Sequence, residues 1–320
     1  MNYKEIAQET LNIEAQTLLD ASKNISDLFN DCIDIILSCK GKLVITGVGK
    51  SGLIGAKMAA TFASTGTPSF FIHPTEALHG DLGMISKDDV VIAISYSGES
   101  EELGAILPHI KRFGTPVIGM TRDANSTLGK YSDVVIGLIV KKEACPLDIA
   151  PTSSTTLTLA LGDALAVCLM KARNFKKSDF ASFHPGGALG KKLFVKVSDL
   201  MKKDDLPIVS KDTKVKDAIV KMSEGRLGTV LVKDEKNKLI ALVSDGDIRR
   251  ALMKDDFSLE ENILAYATLK PMSIDDEDML ASKALVLIEK RKIQLLAVTD
   301  KEKNIKGVLH IHTLIEKGIS

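Results

Sequence analysis

A cluster of hydroxyl side chains follows a short apolar segment in the first half of the chain. Val90–Ile94 has the length of a buried parallel strand, and Ser95-Tyr96-Ser97-Gly98-Glu99-Ser100, here called the serine loop, follows it directly. A helical pattern opens at Glu101, and hydroxyls and unpaired N–H groups at such a strand-to-helix turn favour an anion. Since the loop contains no lysine, it fits a single phosphomonoester better than a triphosphate. An ordinary serine- and glycine-rich loop is the alternative.

A second candidate site is the glycine turn, Gly47-Val48-Gly49-Lys50-Ser51-Gly52, which follows an apolar strand pattern. Its glycine spacing matches the dinucleotide fingerprint, but that fingerprint needs an acidic residue at the end of the next strand. The next strand ends in His73-Pro74 instead, and the first glycine of a P-loop is absent. The sequence therefore predicts a strand-to-helix turn in which Lys50 is a functional cation, since no structural role requires a lysine there.

The composition is that of an ordinary soluble protein. The 320 residues include 42 Lys plus Arg and 42 Asp plus Glu, so no basic excess indicates nucleic acid or a membrane surface as a partner. The longest apolar runs are too short to span a bilayer, and the N-terminal segment has a mixed-charge helical pattern. Four cysteines without metal-like or disulfide-like spacing indicate a reducing compartment, so we expect a cytoplasmic protein.

Strand and helix patterns alternate up to about residue 195, and a long helical pattern covers Thr155–Arg173. This alternation predicts an α/β fold, a doubly wound and mostly parallel five-stranded sheet with helices on both faces. Ligands bind at the carboxyl ends of such strands, where the glycine turn, His73, the serine loop and Lys141-Lys142-Glu143 all fall. The predicted strands are Leu43–Thr46, Ser69–Ile72, Val90–Ser95, Pro116–Met120 and Val134–Val140.

After residue 195 the chain contains two similar copies of one pattern. Val232–Asp247 resembles Val298–Thr313, 66 positions later. Each copy reads as a helix, an apolar strand, a charged turn, a second strand and a short helix. One copy is too small to bury a core of its own, so we predict a pseudo-symmetric α+β pair. The predicted domains are residues 1–195, 196–262 and 263–320.

Six stretches together carry a family signature: Gly47–Gly52, Lys57–Phe71, His79–Gly83, Lys142–Leu147, Ala150–Thr156 and His184–Gly190. With them the whole chain resembles the D-arabinose-5-phosphate isomerase family. The first 195 residues are similar to a sugar-isomerase (SIS) domain, and the remainder is similar to a tandem cystathionine-β-synthase (CBS) pair. The resemblance implies interconversion of D-ribulose 5-phosphate and D-arabinose 5-phosphate through a cis-enediol, the first step of Kdo synthesis for lipopolysaccharide or capsule.

Moving a carbonyl between C1 and C2 needs a base for the carbon-bound proton, an acid/base pair for the oxygens and a cation near the oxyanion. The resemblance places these roles on Lys50, Glu102, Glu143 and His184. Lys50 would offset the enediolate charge, and His184 would shuttle oxygen protons or help to open the sugar ring. Glu102 or Glu143 would carry the carbon-bound proton, with a pKa raised by partial desolvation, and we favour Glu143.

The resemblance also implies the residues that surround the sugar phosphate and the assembly that forms the site. His184 lies in a Pro-Gly-Gly turn away from the sheet pattern, so it would reach the site of a neighbouring subunit in a homotetramer. No cofactor is required by the enediol route. His73 corresponds to a metal position, where zinc would be inhibitory or incidental because no carboxylate cluster accompanies it. The implied substrate contacts are Gly66, Thr67, His79, Ser95, Ser97, Ser100 and Lys141.

CBS modules hold a nucleotide ribose with a hydroxyl residue and an aspartate. The first copy has Ser244 and Asp247, with Thr213 on its entry side, whereas the second copy has His310 and Thr313 at the equivalent places. We therefore expect a nucleotide-type ligand to favour the Asp247 site. A purely structural role that organises the tetramer is the alternative.

Two other functions stay open at this point. SIS domains also occur in non-catalytic regulators that sense sugar phosphates, although the first 40 residues have an even charge and no basic recognition helix for nucleic acid. An isomerase for another sugar phosphate would carry similar motifs, because the sequence does not measure the length of the pocket.

Overall fold

A parallel sheet of five strands forms within residues 1–183 of a computed structural model that describes residues 1–319. All pairs are parallel, so the carboxyl ends of the strands share one edge. The order is β2-β1-β3-β4-β5, and the direction of winding reverses between β1 and β3, where such sheets bind ligands. The strands are β1 (Leu43–Gly47), β2 (Ser69–Ile72), β3 (Val90–Ile94), β4 (Val117–Thr121) and β5 (Val134–Gly137).

Helices cover both faces of this sheet. One apolar cluster joins it to α2, α3 and α7, and a second cluster joins it to α4, α5 and α6 on the other face. Burial on both faces explains why β1, β3 and β4 are buried along their whole length. The helices are α1 (Tyr3–Lys23), α2 (Leu28–Ser38), α3 (Gly49–Ser64), α4 (Pro74–Leu78), α5 (Glu101–Arg112), α6 (Thr127–Tyr131), α7 (Ser153–Ala172) and α8 (Lys177–Phe183), with a 3₁₀ turn at Asp81–Met84.

The predicted doubly wound α/β class is confirmed, with differences at the ends of elements. Strand β2 has the predicted limits, and α7 begins two residues before the predicted Thr155. The predicted strand Val134–Val140 is too long. Its pairing with β4 stops at Gly137, and only one further N–H, from Leu138, reaches back to β4.

Helix α7 corrects one expectation from the sequence. Its 20 residues are long and apolar enough to cross a membrane, by length and composition alone. Half of that stretch is buried within the unit, where Leu157, Leu161 and Leu165 belong to the cluster that also contains α3. Such burial is typical of the core helix of a soluble protein.

The residues from His184 onward form a second compact unit, in which one strand–helix–strand–strand–helix pattern occurs twice. The second copies of α11, β7 and β8 all begin 66 residues after the first, as the sequence repeat predicts. The first copy has β6 (Ile208–Ser210), α11 (Val215–Gly225), β7 (Thr229–Lys233), β8 (Leu239–Ser244) and α12 (Asp245–Ala251). The second has β10 (Ser273–Ile274), α13 (Ala281–Arg291), β11 (Leu295–Thr299), β12 (Ile305–His310) and α14 (Ile311–Glu316).

The two copies share a buried core. Leu231 and Leu239 of the first copy lie in one apolar cluster with Leu295, Ala297 and Val308 of the second. Strand order is β6-β7-β8-β9 in one sheet and β10-β11-β12 in the other, so each is a mixed sheet with the same central pairing. The remaining elements are α9 (Ala188–Phe194), α10 (Val197–Leu200), a 3₁₀ turn at Ile263–Tyr266 and β9 (Thr268–Leu269). The domain limits at residues 195 and 262 stay predictions.

Candidate active site

The glycine turn brings Lys50 to the switch point of the sheet. A Cβ added at Gly47 would lie 3.0 Å from the carbonyl oxygen of Ile94, so the ends of β1 and β3 are in close contact. Gly49 has φ +59°, a left-handed conformation that glycine adopts without strain, and it begins α3. Lys50 is the second residue of α3 and is exposed. Lys50 therefore lies at the edge of the sheet where the serine loop also begins.

The serine loop is a closed turn whose hydroxyls accept backbone hydrogen bonds. The buried Ser95 Oγ accepts from the N–H of Gly98 at 3.1 Å, and the exposed Ser97 Oγ accepts from Glu99 at 3.3 Å. Ser100 is the N-cap of α5 and accepts from the N–H of Leu103 at 3.4 Å. The hydroxyls of Ser95 and Ser97 each keep a proton to donate, which suits a phosphate oxygen.

Neighbouring residues fix the shape of the serine loop. Gly98 has φ +76°, and a Cβ there would lie 2.0 Å from Ser126 Oγ, so the position needs glycine. The carbonyl of Gly98 accepts from Leu128 N–H at 2.9 Å. The Glu99 carboxylate accepts from Thr127 twice, from N–H at 2.9 Å and from Oγ1 at 2.6 Å. The loop is therefore preorganised by contacts with the segment that follows β4.

Glu102 lies in the first turn of α5, close to His73 at the end of β2. The hydroxyl of Ser100 donates to Glu102 Oε2 at 2.7 Å and is the main cause that lowers the pKa of Glu102, to which the charge of His73 adds. His73 caps α4, because its Nδ1 accepts from the N–H of Thr75 at 3.2 Å. The ends of β1, β2 and β3 thus bring Lys50, His73 and Glu102 to one edge, as predicted.

Glu143 is bound to the N-terminus of α7. Its Oε2 accepts from Thr152 N–H at 2.7 Å, from Thr152 Oγ1 at 3.0 Å and from Ser154 N–H at 3.2 Å. Partial burial acts to raise the pKa of Glu143, but the hydrogen bonds from Ser154 and Thr152 together outweigh it, and the pKa is lowered. The expectation of a raised pKa for the base is therefore wrong for both Glu102 and Glu143 in this structure, because hydrogen bonds exceed desolvation.

Thr152 and Ser154 are contacts of Glu143 that sequence reasoning did not identify. The hydroxyl-rich segment Ala150–Thr155 is typical of the start of a helix, but the sequence does not show that Glu143 binds it. Asp148 contributes as well, since its Oδ1 accepts from the N–H of Glu143 at 2.6 Å. The segment 143–152 is therefore a compact loop built around one carboxylate.

Lys141 lies in an ion pair instead of facing the serine loop. Its Nζ is 2.6 Å from Asp20 Oδ2 on α1, and its side chain is 81% exposed. The hydrogen bond from Lys141 is the main cause that lowers the pKa of Asp20. An exposed pair of this kind contributes little stability, so the ammonium group can leave Asp20 at small cost. Its predicted contact with substrate stays a prediction.

Gly66 and Thr67 lie at the opposite edge of the sheet from Lys50. They follow α3 and precede β2, and the 16 residues of α3 span about 24 Å. The guanidinium of Arg173 holds this turn by donating to Gly66 O at 3.3 Å and to Thr67 Oγ1. One pentose phosphate is much shorter than α3, so it cannot touch Lys50 and Thr67 of the same chain.

Two further predicted residues lie on other parts of the chain. His79 is the exposed residue that directly follows α4, and His184 is the first residue of the second unit. Within residues 1–319 no group of three or more His, Cys, Asp or Glu side chains is arranged to hold a metal ion. The zinc contact of His73 stays a prediction, and the Nδ1 of His73 accepts a hydrogen bond as the cap of α4.

In the second unit the predicted nucleotide residues are held by local contacts. Asp247 Oδ2 accepts from Ser244 N–H at 2.9 Å and from Ser244 Oγ at 2.7 Å, which forms the capping box of α12. The other oxygen of Asp247 is paired with Arg250. Thr213 lies 3.1 Å from Ser210 through their hydroxyls. Both oxygens of Asp247 are thus occupied in this conformation.

Comparison with known proteins identifies the two types of domain in this chain. A SIS domain matches residues 36–168, and a CBS domain matches residues 197–254. The chain is 48% identical over 314 residues to the Francisella tularensis protein named arabinose 5-phosphate isomerase KdsD, which covers 97% of this chain and 95% of the relative. It is 44% identical over 321 residues to the Escherichia coli K12 protein of the same name, with 99% and 97% covered.

A solved structure supports the identification of the first unit as a SIS domain. An Escherichia coli CFT073 protein in complex with arabinose 5-phosphate matches with a TM-score of 0.57 and 45% identity, over 58% of this chain and 100% of that one. The matched share of this chain is about the length of the first unit, which ends at Phe183. Since the sequence relatives span nearly the whole length at 44% identity or more, the chain belongs to the arabinose 5-phosphate isomerase family.

Proposed function

We propose that this protein is an aldose–ketose isomerase that interconverts D-ribulose 5-phosphate and D-arabinose 5-phosphate. The observation that carries the proposal is the meeting of three groups at one edge of the sheet. The serine loop offers hydroxyls and helix N–H groups for a phosphate, Lys50 offers a cation, and Glu102 offers a carboxylate. The family membership adds the substrate, and the product would enter Kdo synthesis for lipopolysaccharide or capsule.

In this proposal the serine loop anchors the phosphate and so fixes the distance from C1 and C2 to the reacting groups. Glu143 takes the proton from one carbon and returns it to the other, and Lys50 offsets the charge on the enediolate oxygen. His184 moves protons between the oxygens or helps to open the ring. Glu102 is the second candidate for the carbon-bound proton, because it is likewise ionised and lies at the same edge.

One coupled assay tests this function. The purified full-length protein is given ribulose, ribose and glucosamine phosphates, and turnover is expected with ribulose 5-phosphate and arabinose 5-phosphate. In D₂O the product is expected to carry deuterium at C2, and EDTA treatment is expected to leave activity unchanged, because side chains fill every role. Turnover of glucosamine phosphate alone, or no turnover of any substrate, would overturn the proposal.

The family resemblance further supports a cytoplasmic homotetramer with shared active sites. Since Gly66 and Thr67 lie about 24 Å from Lys50 along α3, a substrate that touches both groups needs a second chain. The four cysteines are free thiols, which suits a reducing compartment. Light scattering of the purified protein tests the assembly, and a monomer with full activity would contradict it. The resemblance to CBS domains likewise supports the proposal that a nucleotide binds at the Asp247 site.

A further inference from the structure

An apolar stripe of α1 is packed along only one half of its length. Tyr3, Ala7, Leu11, Leu18 and Ala21 recur at the spacing of a single helix face. Leu18 and Ala21 pack against the apolar cluster that contains α7. Tyr3 is 75% exposed and Leu11 is 65% exposed. The N-terminal half of the stripe therefore faces mainly water.

The contacts that hold α1 on the first unit come from its C-terminal half. Glu14 Oε2 accepts from Thr156 Oγ1 at 3.1 Å, and Asp20 forms its ion pair with the segment that follows β5. Residues 3–11, here called the arm helix, are exposed apart from the half-buried Thr10. The arm helix therefore borders the unit without packing into it.

A groove runs between α1 and the carboxyl ends of β4 and β5. It lies within the first unit and has a volume of about 1130 Å³. Ile25, Leu28 and Ile139 line it, and these large apolar side chains are 50%, 47% and 66% exposed. An apolar lining of this extent is typical of a surface that binds another protein segment. The same chain thus contains an apolar groove and an apolar helix face without a partner.

The charges along the groove differ between its two ends. Glu5 and Glu9 of the arm helix line one end, and Lys142 lines the groove beside the ion pair of Lys141 with Asp20. Asp20 lies about 22 Å further along α1 than Glu5. Within residues 1–319 neither Glu5, Glu9 nor Lys142 is in an ion pair. An acidic helix that entered the groove from the Lys142 end would therefore meet an unpaired cation.

We infer that the groove binds the arm helix of a second copy of this chain, so that two copies exchange arm helices about a two-fold axis. The inference names a surface for the proposed homotetramer and rests on that assembly. A two-fold contact uses the same surface on both copies, so one exchange covers both stripes and both grooves. With the two α1 helices antiparallel, Glu5 of one copy lies near Lys142 of the other, and Tyr3 lies beside Leu28.

A disulfide test uses the length of α1. Tyr3 and Lys23 are about 30 Å apart along the helix, and the chain from Lys23 to Leu28 spans at most about 18 Å. Cysteines at positions 3 and 28 of one chain are thus too far apart to pair, because a disulfide needs Cα atoms within about 7 Å. Oxidised Tyr3→Cys/Leu28→Cys full-length protein is expected to form a covalent dimer on a non-reducing gel.

The matched control for this disulfide is Tyr3→Cys/Val167→Cys. Val167 is half exposed on α7 and does not line the groove, so this pair should form no more covalent dimer than wild type, which keeps the four native cysteines. Equal cross-linking of the two pairs, or no cross-link in an assembled protein, would overturn the exchange and leave the proposed homotetramer in place. A monomeric wild type would contradict both.

A charge swap tests the same contact without cysteines. Glu5→Lys and Lys142→Glu are each expected to raise the dissociation constant of self-association about tenfold in analytical ultracentrifugation, since each change acts at both ends of a two-fold contact. The double variant Glu5→Lys/Lys142→Glu restores opposite charges and should bind within about threefold of wild type. Losses that multiply in the double variant, or unchanged association in both single variants, would contradict the exchange. Isomerase turnover is measured separately, so failure of this contact and failure of the proposed activity are distinguishable.

Discussion

At the scale of single residues, the proposed mechanism gives Glu143 two roles with opposite requirements. A base must accept a proton, whereas the anion at the N-terminus of a helix is stabilised by remaining charged. Three hydrogen bonds from Thr152 and Ser154 favour the charged form. In the proposed mechanism, reactivity would therefore come from the placement of the carboxylate and from the cation Lys50, because the pKa of Glu143 is lowered.

Glu143→Gln is expected to lower kcat by about 100-fold or more, as for other general acid–base groups. It should also destabilise the protein by about 1 kcal/mol at neutral pH, the usual cost of weakening a helix cap. Because folding lowers the pKa of Glu143 from its ordinary 4.5, this stabilisation is complete above that pH and is lost as the pH falls through the folded value. Urea unfolding at pH 7 and pH 3 measures it, and an equal difference at both values would contradict the capping role.

His184→Ala and Ser97→Ala are expected to affect different kinetic constants. His184→Ala should lower kcat by about 100-fold, since it removes a proton shuttle. Ser97→Ala should mainly raise KM, because the serine loop binds the phosphate equally well in the ground state and in the transition state. Steady-state kinetics with arabinose 5-phosphate measures both. Wild-type turnover in His184→Ala would remove this residue from the mechanism.

Asp247→Ala is expected to abolish any binding of adenosine monophosphate that titration calorimetry detects with the full chain. Ser244 contacts one oxygen of Asp247 and Arg250 contacts the other, so a ribose hydroxyl would share this carboxylate with both residues or replace one of them. Thr313→Ala is the matched control at the equivalent place of the second copy and should leave binding unchanged. Equal loss of binding in both variants would show that the nucleotide lies between the copies and not at Asp247.

At the scale of elements, strands were more accessible to sequence reasoning than loops. β2 and the buried strands follow from continuous apolar runs bounded by polar residues, and the 66-residue repeat fixes α13, β11 and β12 from their first copies. The partners of Lys141 and Glu143 could not be predicted, because Asp20 and Thr152 reach them only through the packing of α1 and α7. Such contacts depend on how helices pack, which spacing along the chain does not encode.

Gly98→Ala tests whether the shape of the serine loop is required. A Cβ at Gly98 would overlap Ser126 Oγ, and its left-handed backbone adds roughly 1–3 kcal/mol of strain, so KM should rise and the thermal midpoint should fall. Gly104→Ala, within α5, is the control. A Cβ there meets only Thr127 at 3.7 Å, and alanine favours the helix by about 1 kcal/mol. Calorimetry should show that Gly98→Ala lowers stability and that Gly104→Ala raises it, and steady-state kinetics should show a raised KM for Gly98→Ala alone. Equal behaviour of the two variants would show that the serine loop does not need glycine at position 98.

At the scale of the whole molecule, the carboxylate candidates and the proposed nucleotide site fall in different units. Lys50, Glu102 and Glu143 lie in the first unit, whereas His184 is the first residue of the second unit and Asp247 lies in the first copy of its repeat. The shared cluster of Leu231 and Leu295 makes that pair one folded body.

A truncated chain of residues 1–195 is expected to keep measurable isomerase activity, because it contains every residue to which proton transfer is assigned. Its weaker self-association should appear in light scattering. Circular dichroism and thermal unfolding serve as the folding control, since the compact first unit ends at Phe183 and α9 belongs to the second. A folded truncation without turnover would show that the second half completes the active site.

In the proposed mechanism, each proton that Glu143 takes from the substrate would remove the negative charge at the first turn of α7. The carboxylic acid formed in this way is stronger than an ordinary glutamic acid, because the helix favours its conjugate base. It would therefore hold the proton briefly and lose it either to the neighbouring carbon or to solvent. The hydrogen abstracted from one carbon should reappear in part on the other carbon, and the rest of the product should carry hydrogen from solvent. Because α7 lowers the pKa of Glu143, this helix would influence the ratio of the two products.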